Sequence, residues 1–130
     1  MKISTKLRYA ARMLVLLSEK KEIMSTNDIA KEIDVSPMYL RVLANDLEKK
    51  GLIKSVRGAK GGYKLLKNPN NISIKDIADI HETLDLVPCL EEPKVCPFSN
   101  ICKMRKFWLG LRNTLLEYLD KWSVKDISNL

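Results

Sequence analysis

Apolar positions in the first twenty residues recur at spacings of three and four. From Met1 to Lys20 the stripe is Ile3, Leu7, Ala10, Ala11, Leu14 and Leu17, with Lys2, Lys6, Arg8 and Arg12 off it. That period predicts an amphipathic helix. Ser25 or Thr26 caps a short helix running to Ile33, with Ile29, Ala30 and Ile33 as its apolar face. Asp34-Val35 leaves room only for a turn. Ser36-Pro37 then opens a third helix, serine as cap and proline at the first helical position. Leu40, Leu43 and Leu47 form its inner face, and Lys49-Lys50-Gly51 ends it with cations at the negative end of the dipole and a glycine exit.

The period then changes. Leu52 to Val56 and Tyr63 to Leu66 are predicted strands around a glycine-rich turn at Arg57 to Gly62. Asn68-Pro69-Asn70-Asn71 is a loop, and Ser73 caps a helix from Ile74 to about His81. Leu84 to Ile101 holds three Pro and two of the three Cys, with Cys102 directly after it, and is expected to be irregular. Lys103 to Trp122 is the longest predicted helix, and Ser123 begins a last short one with Asp126 as capping-box partner. The fold class is therefore mainly α, a winged helix-turn-helix with a two-stranded wing and a long C-terminal helix.

Composition narrows the function. The chain has 130 residues, 45% of them hydrophobic, which excludes a wholly disordered protein. The longest uncharged apolar run, Met13 to Ser18, is far too short to span a membrane, and no signal peptide or membrane partner is expected. The net charge of +7 is unevenly placed. Residues 1–67 carry 15 Lys/Arg against 7 Asp/Glu, a net of +8; residues 68–130 carry 8 against 9, a net of −1. All three cysteines lie in the second part. The expected division is a winged-helix DNA-binding region at 1–67, a connecting helix and cysteine-bearing loop at 68–102, and a dimerisation helix with a C-terminal cap at 103–130. Cytoplasmic localisation follows from the reduced, basic, soluble character.

In a winged helix the second helix of the pair enters the major groove and the wing reaches the backbone or minor groove. The outer face of the third helix carries Pro37, Met38, Arg41 and Asn45. Arginine and asparagine can bond guanine and adenine edges through two atoms at once. The hairpin carries Lys54, Arg57, Lys60, Lys64 and Lys67 and no acidic residue, which suits a phosphate lattice. Glycines at 58, 61 and 62 let the backbone turn and approach a partner closely. A winged helix can instead serve as a protein-interaction or RNA-associated module, and those glycines would be turn residues in either case. An enzyme is not expected: there is one His, no nucleophile elbow, no P-loop and no metalloprotease pair.

Two runs, Val35-Ser36-Pro37-Met38-Tyr39-Leu40 and Leu47 through Tyr63, the latter with the wing S-V-R-G-x-x-G-G-Y, resemble the Rrf-two family of bacterial winged-helix regulators. The segment T-K-x-R-Y-A-x-R-M-L near the N-terminus and Trp108, Leu119 and Ser123-Val124-Lys125-Asp126-Ile127 near the C-terminus extend the resemblance nearly end to end. It implies a homodimer built on the long C-terminal helix and a double-stranded DNA operator. It implies that Arg57 enters the minor groove. With the pattern above it makes Ser36, Pro37, Met38, Tyr39, Arg41, Asn45, Arg57, Lys60, Gly61 and Gly62 the candidate DNA-binding residues. Where one branch of the family reads bases with a recognition-helix glutamate, this chain has Arg41, so the target sequence does not carry over.

Cys89, Cys96 and Cys102 are spaced C-x6-C-x5-C. An odd, clustered set in an intracellular chain points to metal or redox chemistry before disulfides. Thiolates bind zinc, copper(I) and iron–sulfur clusters. The tight pairs usual for structural zinc are missing, whereas iron–sulfur ligation accepts looser loops and usually four ligands. Cluster-binding members of the family carry three cysteines here with the same x5 interval, and Cys96-Pro97 through Cys102 resembles the nitric-oxide-sensing branch. The resemblance thus implies an iron–sulfur cluster, [2Fe-2S] or [4Fe-4S], on these three cysteines. The family's non-cysteine ligand positions are held by Arg105 and Arg8, which leaves Glu91, Glu92, Asp85, His81, a water or an external thiol for the fourth place. His81, at a helix end, is read as a surface cap. The alternative is a cluster-free member with three reduced thiols, or a thiol redox switch.

On the long helix, Met104, Trp108, Leu111, Leu115, Tyr118 and Trp122 make a heptad-like seam. The stripe could face the chain's own core, another subunit or both; it exceeds the needs of one small core, and the resemblance tips the reading to a two-fold dimer.

Overall fold

The computed structural model describes every residue except Met1, Glu82, Thr83 and Asp85. Helix α1 runs Thr5–Lys20, α2 Thr26–Ile33 and α3 Pro37–Lys49; strands β1, Ile53–Val56, and β2, Gly62–Leu65, follow. A 3-10 turn at Pro69–Asn71 leads to α4, Ile74–His81. Beyond it lie α5, Pro88–Glu91, a 3-10 turn at Pro93–Val95, α6, Lys103–Lys121, and α7, Val124–Ser128.

Helix α1 starts later than its apolar stripe suggests. Ser4 accepts the Leu7 N–H on its hydroxyl at 3.1 Å, and this local bond competes with helix continuing upstream. Lys2 and Ile3 are therefore outside the helix, and Ile3 is exposed. The two shorter helices of the motif start where serines cap them: Ser25 accepts from the Asp28 N–H and Ser36 from the Tyr39 N–H, each at 3.1 Å. Asp34, left-handed at φ 60, makes the turn between them. Leu52 falls outside β1, and the second strand spans Gly62–Leu65 in place of Tyr63–Leu66, because the antiparallel register pairs Ile53 with Leu65 and Val56 with Gly62. The expected irregular stretch between Leu84 and Ile101 contains α5 and a 3-10 turn, both opened by prolines that suit a first helical position.

One core joins the chain's parts. Leu7, Ala10, Met13, Leu14 and Leu17 of α1 meet Ile29, Ala30 and Ile33 of α2 and Leu40, Leu43, Ala44 and Leu47 of α3. Ile53, Ile72, Ile77, Ala78 and Val124 complete it. Two reciprocal capping boxes fasten the C-terminal end. Ser73 and Asp76 bond each other's backbone N–H groups, as do Ser123 and Asp126. Between them the Ile74 N–H donates to Trp122 O and the Val124 N–H to Ile72 O, at 2.9 and 2.8 Å. By contrast, none of the 19 residues of α6 is buried.

Candidate nucleic-acid interface

The core face of α3 dictates what its other face can offer. With Leu40, Leu43, Ala44 and Leu47 fully buried, Met38, Arg41, Val42 and Asn45 stand in solvent, Met38 with 75% of its surface exposed. Ser36 and Pro37 are exposed at the helix start. Tyr39 is half-buried and points elsewhere: its ring meets Tyr9 of α1 edge-on, centroids 6.2 Å apart. Both Arg8 and Arg12 lie over the same Tyr9 ring, their guanidinium carbons 5.7 and 5.6 Å from its centroid. These exposed arginines extend the basic surface of α1 toward the start of α3. Their helical spacing of four was visible in the sequence, but only the Tyr9–Tyr39 contact brings them beside the recognition helix.

The wing is fastened to the motif by backbone. Met24 and Tyr63 form an antiparallel bridge, the Met24 N–H donating to Tyr63 O at 3.1 Å and the Tyr63 N–H to Met24 O at 2.9 Å. Ser55 of β1 donates to Glu48 Oε1 of α3 at 3.1 Å. These contacts hold β1 against α3 and β2 against the segment that leads into α2, and Arg57 and Lys60 of the turn between the strands are both exposed. Gly61 and Gly62 are required by close approach. A Cβ on Gly61 would sit 2.1 Å from Val56 O; on Gly62, at φ 152, it would sit 1.9 Å from Met24 O. A shallow cavity of about 370 Å³ joins these parts, with Arg41, Ser25 and Gly62 in its walls. Of the candidate DNA-binding residues, Arg41, Gly61 and Gly62 line this cavity, while Ser36, Pro37, Met38 and Asn45 stand exposed on α3 and its cap and Arg57 and Lys60 on the wing turn.

The cysteine loop sits elsewhere. Cys89 lies in α5, Cys96 just after the 3-10 turn, and Cys102 at the cap position of α6, where its side chain makes no capping bond. All three are free and half-buried. Arg105 Nε donates to Cys89 O at 3.1 Å and Arg112 pairs with Glu91 at 3.3 Å, so α6 holds the loop through two arginines. Among the described residues no three His, Cys, Asp or Glu side chains come together to hold a metal ion. The three thiols have the soft donor chemistry an iron–sulfur centre needs, and binding one would require the loop to bring them together. Of the candidate fourth ligands, Glu91 is engaged by Arg112, Glu92 is exposed, and Asp85 lies outside the described residues.

His81 is corrected from a surface cap to a buried side chain. Its side chain is 2% exposed, with Nδ1 3.9 Å from Asp46 Oδ2 and Nε2 without a hydrogen-bond partner among the described residues. Burial holds its pKa below the ordinary 6.5 and the nearby Lys6 acts in the same direction, against the opposing Asp46 carboxylate. The placement has a tertiary cause: α4 packs against α1 and α3, and Ser4 Oγ donates to His81 O across that junction.

A recognition helix that presents Arg41 and Asn45 outward beside a glycine-hinged, acid-free wing defines a winged helix-turn-helix DNA-binding protein. Comparison with known proteins gives the family. Residues 3–129 match Rrf2, described as an iron-dependent transcriptional regulator. The chain is 32% identical over 130 residues to protein rrf2 of Nitratidesulfovibrio vulgaris, covering 98% of this chain and 87% of that one. It is 33% identical over 132 residues to the transcriptional regulator CymR of Bacillus subtilis, covering 99% and 91%. The solved structure of that protein, described as a global cysteine regulator, superposes with a TM-score of 0.80 and covers 99% of this chain and 97% of its own. The structure of IscR from T. potens also gives 0.80, at 29% identity, covering 98% and 85%. The chain belongs to the Rrf2 family and is a DNA-binding transcriptional regulator.

Proposed function

We propose that the chain is a homodimeric regulator whose operator binding is controlled through the Cys89, Cys96 and Cys102 loop, with an iron–sulfur cluster as the bound group. The observation that carries the reading is mechanical. The loop is tied to α6 through Arg105 and Arg112, α6 packs on α4, and α4 packs on α1 and α3. A change in the loop therefore has a continuous packed route to the recognition helix. For the route to switch DNA binding, the two loop states must favour different positions of α6.

The dimer reading rests on α6. It buries no residue within the chain and exposes Met104, Phe107 and Tyr118. Phe98 and Ile101 of the adjoining loop are also exposed, 61% and 78%. Such an apolar run is usual at an interface and unusual on a free surface. Two basic recognition surfaces related by a two-fold axis would match a palindromic operator. In this arrangement residues 1–67 read DNA, 68–102 carry the signal and 103–130 dimerise.

A second reading has its own support. The three thiols do not converge as folded, and CymR is among the chain's relatives. Oxidation of the free thiols would then replace the cluster as the signal.

The experiment is anaerobic reconstitution of the full chain with iron and sulfide, followed by visible absorption, iron analysis and binding to a duplex selected from a random pool. A coloured, iron-bearing protein whose affinity changes, with the change lost in Cys89→Ser, Cys96→Ser and Cys102→Ser, supports the cluster. A colourless, iron-free protein overturns it. Peroxide-dependent binding by that colourless protein supports the thiol reading.

A further inference from the structure

Away from α3 and the wing tip, the end of α1, strand β2 and α7 border an open cavity of about 660 Å³. Its apolar lining comes from Leu17, Ile23 and Leu65, and its cations are Lys21, Lys64 and Lys125. Glu22 is the one acidic residue of the lining. The volume lies in the range of sites for small molecules, which combine an apolar wall with a few placed polar groups.

Three features point to an anionic ligand with an apolar body. First, none of the three lysines makes an ion pair among the described residues, so three like charges face one concavity without a countercharge beyond Glu22. A concave, low-dielectric wall focuses such a field. Second, Lys21 occupies the left-handed cap of α1 at φ 56, its N–H bonded to Leu17 O at 3.1 Å. Glycine is the usual residue there, so the chain accepts backbone strain while a cation lines the cavity. Third, Ile23 is 38% exposed although it lines this cavity with buried Leu17 and half-buried Leu65, leaving apolar surface uncovered beside the charges.

We propose that this cavity binds a small amphipathic anion: an apolar body against Leu17, Ile23 and Leu65, and a carboxylate or phosphate held by Lys21, Lys64 and Lys125. It is separate from the cysteine loop and from α3, and shares only Lys64 with the basic wing. Its walls join the wing strand to α7, so the bound anion bridges the two by contacting Lys64 and Lys125 together.

The test uses the full chain, isotopically labelled, titrated with octanoate, phenyl phosphate and inorganic phosphate while amide resonances are followed. The expected result is saturable shifts at residues 17–23, 64–70 and 125 with octanoate or phenyl phosphate. A Lys21→Asn/Lys125→Met variant should weaken binding at least tenfold, asparagine being tolerated in the left-handed region. A matching circular dichroism spectrum keeps a folding defect out of that comparison. The proposal is overturned if neither organic anion shifts these residues, or if inorganic phosphate binds as well as the organic anions. It is overturned equally if the shifts fall only on the apolar surface of Tyr118 and Trp122, or if the double variant binds as tightly as the parent.

Discussion

Replacing Gly62 by alanine tests the joint between wing and recognition motif. The new Cβ would lie 1.9 Å from Met24 O, 2.5 Å from Met24 C and 2.8 Å from Ser25 Cα. Carbon and oxygen normally approach no closer than about 3.3 Å, so the Met24 carbonyl must withdraw by about 1.4 Å. That takes the Tyr63 N–H to Met24 O bond, now 2.9 Å, out of range and disrupts its partner bond of 3.1 Å. Each lost bond costs about 0.5–1.5 kcal/mol. A side chain at φ 152 adds about 1–3 kcal/mol. The total, about 2–6 kcal/mol, is a large part of a domain's stability and corresponds to a fall in Tm of about 8–24 °C at this chain length. Gly58→Ala is the control. It has φ 109 but nothing within 4 Å of the added Cβ, so it carries backbone strain alone. Thermal unfolding followed by circular dichroism compares the two. Gly62→Ala should be the less stable by at least about 1 kcal/mol, the two bridge bonds taken at their low end. Equal Tm values for the two variants would refute the close approach.

Further predictions concern charge. Arg57→Ala should lower affinity for all duplexes and reduce the slope of log affinity against log salt by about 0.9, measured by fluorescence anisotropy across a salt series. Arg41→Ala should cost about 1–3 kcal/mol on a selected site and less on random DNA; equal losses on both would remove Arg41 from base reading. Because the folded pKa of His81 lies below 6.5, its contribution to stability is fully present above that pH. It is lost as pH falls through the depressed folded value. Urea midpoints at about pH 7.5 and about pH 5 should differ less in His81→Gln than in the parent. Asp126 is held below its ordinary 3.8 by the Ser123 N–H and hydroxyl, so its capping contribution is present above 3.8 and disappears as acid protonates it. Asp126→Asn, which removes the titrating carboxylate, should flatten that acid limb in an acid-denaturation curve.

Much of the architecture was legible because its signals are local. Ser25, Ser36, Ser73 and Ser123 cap their own helices through bonds spanning three residues, and such bonds form wherever the backbone permits. The alternation of apolar residues in α3 likewise settled which side faces Arg41 and Asn45 outward. Where local signals conflicted, the reading erred. Ile3 continued an apolar stripe, yet the nearer Ser4 bond ended the helix. His81 sat at a helix end, a place of exposure on average, and was buried by helices remote in sequence.

The sequence by itself determined the order of elements, the outward face of the recognition helix and the acid-free wing, because each depends on residues a few positions apart. It also placed three thiols in one segment between the winged helix and the long helix. Only the tertiary structure decided which partners those elements meet. The Met24–Tyr63 bridge spans 39 positions and explains why Gly62 has no room for a side chain. Lysines 21, 64 and 125 share a cavity that no spacing announces. The cysteines, close in sequence, do not converge in space. Spacing along a loop limits how far apart side chains can be, while packing against α6 decides where they point.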